Sequence, residues 1–189
     1  CSSSVKRGNL CTPHYTRQDK LEADVLAAIQ LQVKAALNYD KLLAKLRNSE
    51  GERSIRDQQN ALITSLNLRL NGVSKKRTRL YEDYAEGLLD EAEYSFAKKS
   101  YDEQYADLSR RLDEAVQRRS KFDEAMSVDN KWITLMKSVS TATQLSQDLV
   151  DEAVELVKVH EGGAVELVMK YGDIYELTIQ SIKEVQEAM

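Results

Sequence analysis

Two cysteines and a histidine near the start of the chain are the residues best suited to hold a metal. Cys1 and Cys11 are the only cysteines among 189 residues, and His14 follows three positions later. A structural Zn²⁺ site takes four tetrahedral sulfur or nitrogen ligands, commonly as two pairs carried on two turns. Three candidates do not complete such a site. On spacing alone, two free thiols or a disulfide therefore explain Cys1 and Cys11 better than zinc does.

The sequence contains no pattern typical of an enzyme active site. It lacks a Gly-rich phosphate loop, a His-Glu-x-x-His segment and a Gly-x-Ser-x-Gly segment. The second histidine, His160, precedes Glu-Gly-Gly and is predicted to lie at a solvent-exposed strand end. Asp and Glu are numerous, but on long helices they usually form solvated faces, so no pair is assigned as general acid and base. We expect no catalytic residue in this chain.

Two clusters of basic residues have the charge to neutralise phosphates. Lys6 and Arg7 form the first, and the stretch KKRTR at 75–79 contains the second. The net charge of −4, from 27 basic and 31 acidic residues, gives no global argument for nucleic-acid binding. For the second cluster, ion pairs with acids of the following helix are the preferred interpretation. The candidate acids are Asp102, Glu103 and Asp107.

The composition is that of long solvated helices. Charged residues make up 31% of the chain and hydrophobic residues 42%, with one proline and seven glycines. No run of about 18 apolar residues exists, so no membrane contact is expected. No signal peptide opens the chain. Two cysteines are fewer than a disulfide-stapled domain uses, which favours the reducing cytoplasm.

The first long helix is predicted over about 17–47. Thr16 and Asp19 have the spacing of a capping box at its start. The segment NSEGER is polar and marks its end. Apolar residues recur at helical spacing between these points: Leu21, Val25, Leu26, Ile29, Val33, Leu37 and Leu42.

Two further helices carry narrow apolar stripes with heavy charge elsewhere, which is typical of a two-stranded coiled coil. The stripe of the first, over 54–84, contains Ile55, Leu62, Leu66, Val73, Leu80 and Tyr84. The stripe of the second recurs at steps of seven, with extra members four residues further on: Tyr94, Tyr101, Leu108, Ala115 and Phe122, then Tyr105, Leu112 and Met126. A short break joins the two helices, so they are predicted to run antiparallel.

That break is the segment LYEDYAEGLLDEAEY, at 80–94. Gly87 suits the left-handed residue that ends a helix. Asp90 and Glu93 form a capping pair that starts the next one. Leu88 and Leu89 are thereby placed at a turn, far from any core.

After residue 127 the pattern predicts short helices, a β-hairpin and a final helix. Asp129 is a candidate cap and Trp132 a candidate core residue. Gly162 and Gly163 separate two β-rich runs, which is a hairpin signal. The predicted fold is mostly α, of α+β class: a small body of helices and a β-hairpin with a long antiparallel two-helix coiled coil inserted in it. The predicted divisions are 1–50, 51–127 and 128–189.

The order of these parts resembles the C-terminal region of large serine recombinases. Cysteine, a short basic loop, cysteine and then CTPHYTRQDKLEADVLAAI resemble the second half of their zinc-ribbon domain. The segment LYEDYAEGLLDEAEYSFAKKSYDEQYADL is similar to the coiled-coil tip of their transposon and prophage members. LSQDLVDEAVELVKV and VELVMKYGDIY resemble the end of the same domain.

The resemblance implies a DNA-binding and assembly module for integration or excision of a phage or mobile element. It makes Cys1 and Cys11 half of a zinc site with four cysteine ligands, a Cys₄ site, in the full-length protein, with the other pair upstream. It makes Lys6 and Arg7 DNA contacts. The catalytic serine lies in a domain absent from this chain, so no strand cleavage is expected.

The same resemblance implies three kinds of partner. They are a double-stranded attachment site, other recombinase subunits and a recombination directionality factor. The residues implied for a protein contact lie at the turn between the two coiled-coil helices: Tyr84, Leu88, Leu89 and Tyr94.

The alternative, from a different functional class, is a coiled-coil scaffold with no DNA role. Salt-sensitive binding to a DNA duplex separates the two interpretations, because only a DNA-binding module replaces counterions on phosphates.

Overall fold

The computed structural model describes residues 16–160 and 163–189. This part of the chain is mostly helical with one two-stranded antiparallel sheet, so the predicted mostly-α, α+β class is confirmed. Its elements are α1 (Gln18–Leu46), α2 (Glu50–Ala85), α3 (Glu91–Met126), α4 (Lys131–Ser138), α5 (Gln147–Ala153), β1 (Val154–Val159), β2 (Val165–Met169) and α6 (Gly172–Glu187).

The chain divides into two compact units. The first, called the body, is made of the described residues of 1–47 together with 124–183. The second, called the helix pair, is made of 48–123 together with 184–189. The body is therefore discontinuous in sequence.

In the body, α1 begins without the predicted capping box. Its N-cap is Arg17, which makes no side-chain cap hydrogen bond. The carboxylate of Asp19 instead pairs with the Arg17 guanidinium at 3.0 Å. A charged donor thus occupies the group that was predicted to bond with Thr16. The predicted inner face is confirmed for Val25 and Ile29, which are buried.

The core of the body is organised around Trp132 on α4, which is fully buried as predicted. The Tyr175 ring lies 4.7 Å from it and the Tyr39 ring 6.0 Å, between centroids. Helix α4 is capped by Asn130 rather than by Asp129, because the buried Asn130 side chain accepts from the Ile133 amide at 3.1 Å.

The amide group of Asn130 also ties separate segments of the body together. Its Nδ2 donates to the carbonyl oxygen of Ala125 at 3.0 Å and to Oγ1 of Thr178 at 2.8 Å. Thr178 is itself fully buried on α6 and donates to the carbonyl of Ile174 at 2.6 Å. Since buried polar groups need partners, this chain of bonds fixes how α4 and α6 pack.

The predicted β-hairpin is present in the body. Strands β1 and β2 pair antiparallel, with Val159 opposite Val165 and a register shift between Val154 and Leu156. Gly163 has a φ of +80°, whereas Gly162 lies outside the described residues. His160 is half-exposed at the strand end, as predicted, and its Nε2 lies 2.8 Å from the Glu166 carboxylate.

In the helix pair, α2 begins at Glu50, earlier than predicted. Ser49 accepts a hydrogen bond from the Glu52 amide at 3.2 Å, and the Glu52 carboxylate accepts from the Asn48 amide at 2.8 Å. This reciprocal arrangement resembles a capping box. The Ser-x-x-Glu spacing at 49–52 was visible in the sequence and was missed.

Helices α2 and α3 run antiparallel, as their cross-contacts show. The Arg56 guanidinium pairs with Asp123, and Arg77 pairs with Asp102 at 2.8 Å. Each helix has 36 residues, which at about 1.5 Å per residue gives about 54 Å. The seam between them is one apolar cluster: Leu66, Val73, Leu108 and Ala115, with Ile63, Leu70, Tyr101, Tyr105 and Leu112 packed against it.

One predicted seam residue is wrong. Leu62 is 43% exposed, and Ile63 packs in the seam instead. The steps from Ile63 to Leu66, Leu70 and Val73 alternate three and four, which keeps every member on the side facing α3. Leu62 lies one residue outside that series, so its side chain points away from the seam.

Candidate protein-interaction site at the end of the helix pair

The turn between α2 and α3 is held by backbone hydrogen bonds that require a left-handed residue. Gly87 has a φ of +74°, and its amide donates to the Tyr84 carbonyl at 3.0 Å. The Leu88 amide donates to the Asp83 carbonyl at 2.9 Å. These two bonds define a Schellman motif. A Cβ at position 87 would meet nothing within 4 Å, so the glycine is needed for its backbone alone.

Helix α3 starts with the predicted capping box. The Asp90 amide donates to the Glu93 carboxylate at 3.0 Å, and the Glu93 amide donates to the Asp90 carboxylate at 2.8 Å. Because one capping motif ends α2 and another starts α3, the segment between them has little conformational freedom. Its side chains are therefore presented in a fixed arrangement.

Two tyrosines close the seam next to this turn. The rings of Tyr84 and Tyr94 stack with centroids 4.3 Å apart and planes 17° from parallel. Tyr84 is 37% exposed, and Tyr94 is half-buried. The stack forms a rigid apolar surface, since an aromatic ring loses little conformational entropy on binding a partner.

The two leucines differ in exposure. Leu88 is 68% exposed, whereas Leu89 is half-buried. The structure thus brings Tyr84 and Tyr94 into direct contact and places Leu88 and Leu89 on the turn beside them. These four residues are called the end site.

The sequence interpretation missed two exposed aromatic residues near the end site. Phe96 is 80% exposed and Tyr81 is 62% exposed. Phe96 follows Tyr94 by two positions, so it lies about 200° around α3 from the seam. An aromatic residue at an outward position of a charged helix was the available signal.

The charges near the end site do not suit a phosphate. The stretch from Glu82 to Glu93 has six acidic residues and no basic one. Further from the turn, Asp102 pairs with Lys98 and with Arg77, each at 2.8 Å. The hydrogen bond from Lys98, together with the charge of Arg77, lowers the pKa of Asp102.

A groove of about 390 Å³ lies beside these charges, lined by Arg77, Tyr81, Tyr94 and Lys98 among others. Arg77 also lies over the Tyr105 ring, 4.8 Å from its centroid. The basic groups of the groove are both paired with Asp102, so it offers no free pair of cations for an anion. This pairing confirms the preferred interpretation of the basic cluster for Arg77.

The predicted metal and DNA residues, Cys1, Lys6, Arg7 and Cys11, lie outside the described residues, as does His14. Within 16–160 and 163–189, no group of three or more His, Cys, Asp or Glu side chains is arranged to hold a metal ion. Over the same residues, no helix is both long and apolar enough to cross a membrane.

The cysteine count limits what this chain can give to the Cys₄ zinc site that the resemblance implies. The chain supplies two of the four thiolates, at positions 1 and 11. Position 4, which lies between them, is not a cysteine: it is Ser4, whose hydroxyl is not among the sulfur and nitrogen ligands of a structural zinc site. The Cys₄ set is therefore incomplete within this chain.

No protein-family model, no curated protein and no solved structure matches the chain. The candidate site is therefore interpreted from its own geometry.

Proposed function

We propose that this chain is a DNA-binding and synapsis module of a site-specific serine recombinase, in which the end site contacts another recombinase subunit. Integration or excision of a phage or mobile element is the reaction that it would serve. The chain would target and assemble the enzyme in the cytoplasm, and strand cleavage would belong to another domain.

The observation that supports the assembly role best is the exposed Leu88 beside the Tyr84–Tyr94 stack, at the end of a helix about 54 Å long. Two caps hold the turn, so presentation of these side chains costs little ordering entropy. The apolar area is small. Small interfaces suit contacts that form and dissociate within a working cycle.

The DNA-binding role rests on the resemblance of the first 29 residues and on the charge of Lys6 and Arg7. In the full-length protein, Cys1 and Cys11 are proposed as half of a zinc site, because thiolate pairs are the ligands that structural zinc prefers. The metal would hold the loop that carries Lys6 and Arg7. A recombination directionality factor is a second proposed partner of the end site.

The test of DNA binding is fluorescence anisotropy of the whole chain with a labelled DNA duplex of mixed sequence, titrated at several salt concentrations. We expect binding that weakens as salt rises, since each neutralised phosphate contributes about 0.9 to the logarithmic slope. Replacement of Lys6 and Arg7 by alanine should weaken binding and make this slope shallower.

The matched control replaces two other adjacent cations, Lys75 and Lys76, by alanine. This variant carries the same change in net charge on the helix pair and should bind DNA as the unaltered chain does. Absence of salt-sensitive binding by the unaltered chain at low salt would favour the scaffold alternative. Equal losses in both variants would remove Lys6 and Arg7 from the proposal.

A further inference from the structure

The middle of α2 has an outward surface that differs from the rest of the helix pair. Residues 58–74, QQNALITSLNLRLNGVS, contain a single charged residue, Arg69. Charged residues make up 31% of the chain, so about five would be expected in a stretch of this length. The seam accounts for the apolar residues on one side of this stretch, but not for the absence of charge on the other side.

Leu68 lies at the centre of that other side. It follows the buried Leu66 by two positions, which rotates it by about 200° away from the seam. It is 68% exposed. The residues one and two turns before it are Thr64 and Ala61, both exposed, and one turn after it is Gly72. A Cβ at Gly72 would meet nothing within 4 Å. The four residues Ala61, Thr64, Leu68 and Gly72 are called the outer face.

The outward positions of α3 show what an ordinary solvated face looks like in this protein. Lys99, Glu103, Arg110, Glu114 and Lys121 recur there, and each is exposed. Charged side chains at such positions keep a two-helix coiled coil solvated. Since α3 follows this rule over the length where α2 does not, the outer face has the properties of a surface that another helix covers.

We propose that the outer face pairs with the outer face of a second copy of this chain, antiparallel, about a two-fold axis through Leu68. The pattern of charges at the ends of the face supports this occupant. In antiparallel register about Leu68, Asp57 of one copy lies at the height of Arg79 of the other. Arg53 lies at the height of Asp83. All four side chains lie within about 70° of the outward direction of α2.

Other arrangements of two copies bring like charges together. A parallel pairing places Asp57 on Asp57 and Arg79 on Arg79. An antiparallel shift of one heptad places Asp57 against Glu86, and the opposite shift places Arg53 against Lys76. Within residues 53–83, the register about Leu68 opposes two pairs of unlike charges and no like charges.

The size of the contact predicts a weak association. The 31 residues from 53 to 83 span about 45 Å of helix. Leu68 is the one large apolar side chain of the outer face, and its small neighbours allow close approach of two helix backbones. Such a contact belongs with transient interfaces. It is isologous, since the same surface is used by both copies. It is also separate from the end site.

The test is a mixing experiment followed by sedimentation velocity over a range of concentrations. Asp57→Arg sets a new arginine against Arg79 at both ends of a homodimer, and Arg79→Asp sets a new aspartate against Asp57 at both ends. Each variant alone should self-associate about tenfold more weakly than the unaltered chain, because two attractive pairs become repulsive. Mixed in equal amounts, the two variants should form a heterodimer, since its charge pairs no longer repel at both ends: one end opposes the two introduced side chains and the other the two native ones.

Leu68→Glu should reduce self-association further, and circular dichroism should show unchanged helix content for all three variants. The proposal is overturned if the unaltered chain stays monomeric, if either charge variant associates normally alone, or if mixing restores nothing. Leu88→Glu with Leu89→Glu separates the two surfaces. Loss of association in that variant, with none in Leu68→Glu, would support the end site and sink the outer face.

Discussion

Tyr84 ends the seam on α2 and Tyr94 opens it on α3, and their rings stack at 4.3 Å across the turn. The backbone carbonyl of Tyr84 also accepts the hydrogen bond from the Gly87 amide. Packing and backbone geometry therefore fix the same few residues. The conformation of Gly87 consequently determines where the side chains of the end site lie.

The first prediction concerns Gly87. A valine there has to adopt a φ near +74°, which a β-branched side chain resists, so Gly87→Val should lower stability by about 1–2 kcal/mol. Thermal unfolding by circular dichroism measures the effect. Gly87→Asn is the control, because asparagine tolerates the left-handed region, and it should lose less. Equal Tm values for valine and glycine would contradict the assigned turn.

The second prediction concerns the end site. Leu88→Glu with Leu89→Glu adds two charges to an already acidic turn, so it should weaken association between subunits and leave the helices folded. The measurements are sedimentation of the whole chain and recombination by the full-length enzyme. Gln117→Glu with Ser120→Glu adds the same charge on an exposed part of α3 and should change neither. Unaltered recombination in the leucine variant would exclude the end site from synapsis.

The sequence predicted α3 best, because its constraints are local and repeated. Leu108, Ala115 and Phe122 recur every seven residues and all three are buried. Only one partner helix covers them, so one stripe satisfies the pattern. The antiparallel direction followed from the short break at Gly87, and it correctly opposed Arg77 to Asp102.

Features that depend on competition between groups or on distant contacts were not predicted. Asp19 bonds to Arg17 rather than capping α1, because a guanidinium competes with the backbone for a carboxylate. Asn130, and not the neighbouring Asp129, caps α4, since its amide also satisfies Ala125 and Thr178 in the buried interior. A sequence pattern shows which side of a helix is apolar, but not which buried polar partners its ends will meet.

The exposed Phe96 shows a second limit. Its position identifies it as outward-facing, yet the pattern cannot tell whether an outward residue is covered by another element. The structure answers that question with an exposure of 80%. The end site is thus larger in apolar surface than the four residues that the sequence singled out.

The third prediction concerns acid. Lys98 donates a hydrogen bond to Asp102, and with Arg77 this lowers the pKa of Asp102 below its ordinary value of 3.8. A depressed folded-state pKa contributes stability above the unfolded pKa, and that contribution is lost as pH falls through the folded value. Asp102→Asn should therefore lower Tm at neutral pH, and the difference should vanish in strong acid.

The control for this acid effect is Asp113→Asn, also on α3. Asp113 is exposed and forms no ion pair with any residue that the structure describes. Its replacement should leave the dependence of Tm on pH unchanged. If the Tm difference caused by Asp102→Asn stayed constant down to about pH 2, below the range in which carboxylates protonate, the ion pairs with Lys98 and Arg77 would not be its source.

The fourth prediction compares two glycines of α2. A Cβ at Gly51 would overlap the Val185 carbonyl oxygen and lie 2.8 Å from Cγ of Met189, whereas one at Gly72 would meet nothing within 4 Å. Gly51→Ala should lower stability by about 1–3 kcal/mol through overpacking against a backbone that cannot move aside. Gly72→Ala should raise stability by about 0.5–1 kcal/mol, because alanine is the better helix former. Chemical denaturation at low protein concentration measures both without interference from association. Opposite signs would establish that the last residues of the chain pack closely on the start of α2, and equal gains in stability would disprove it.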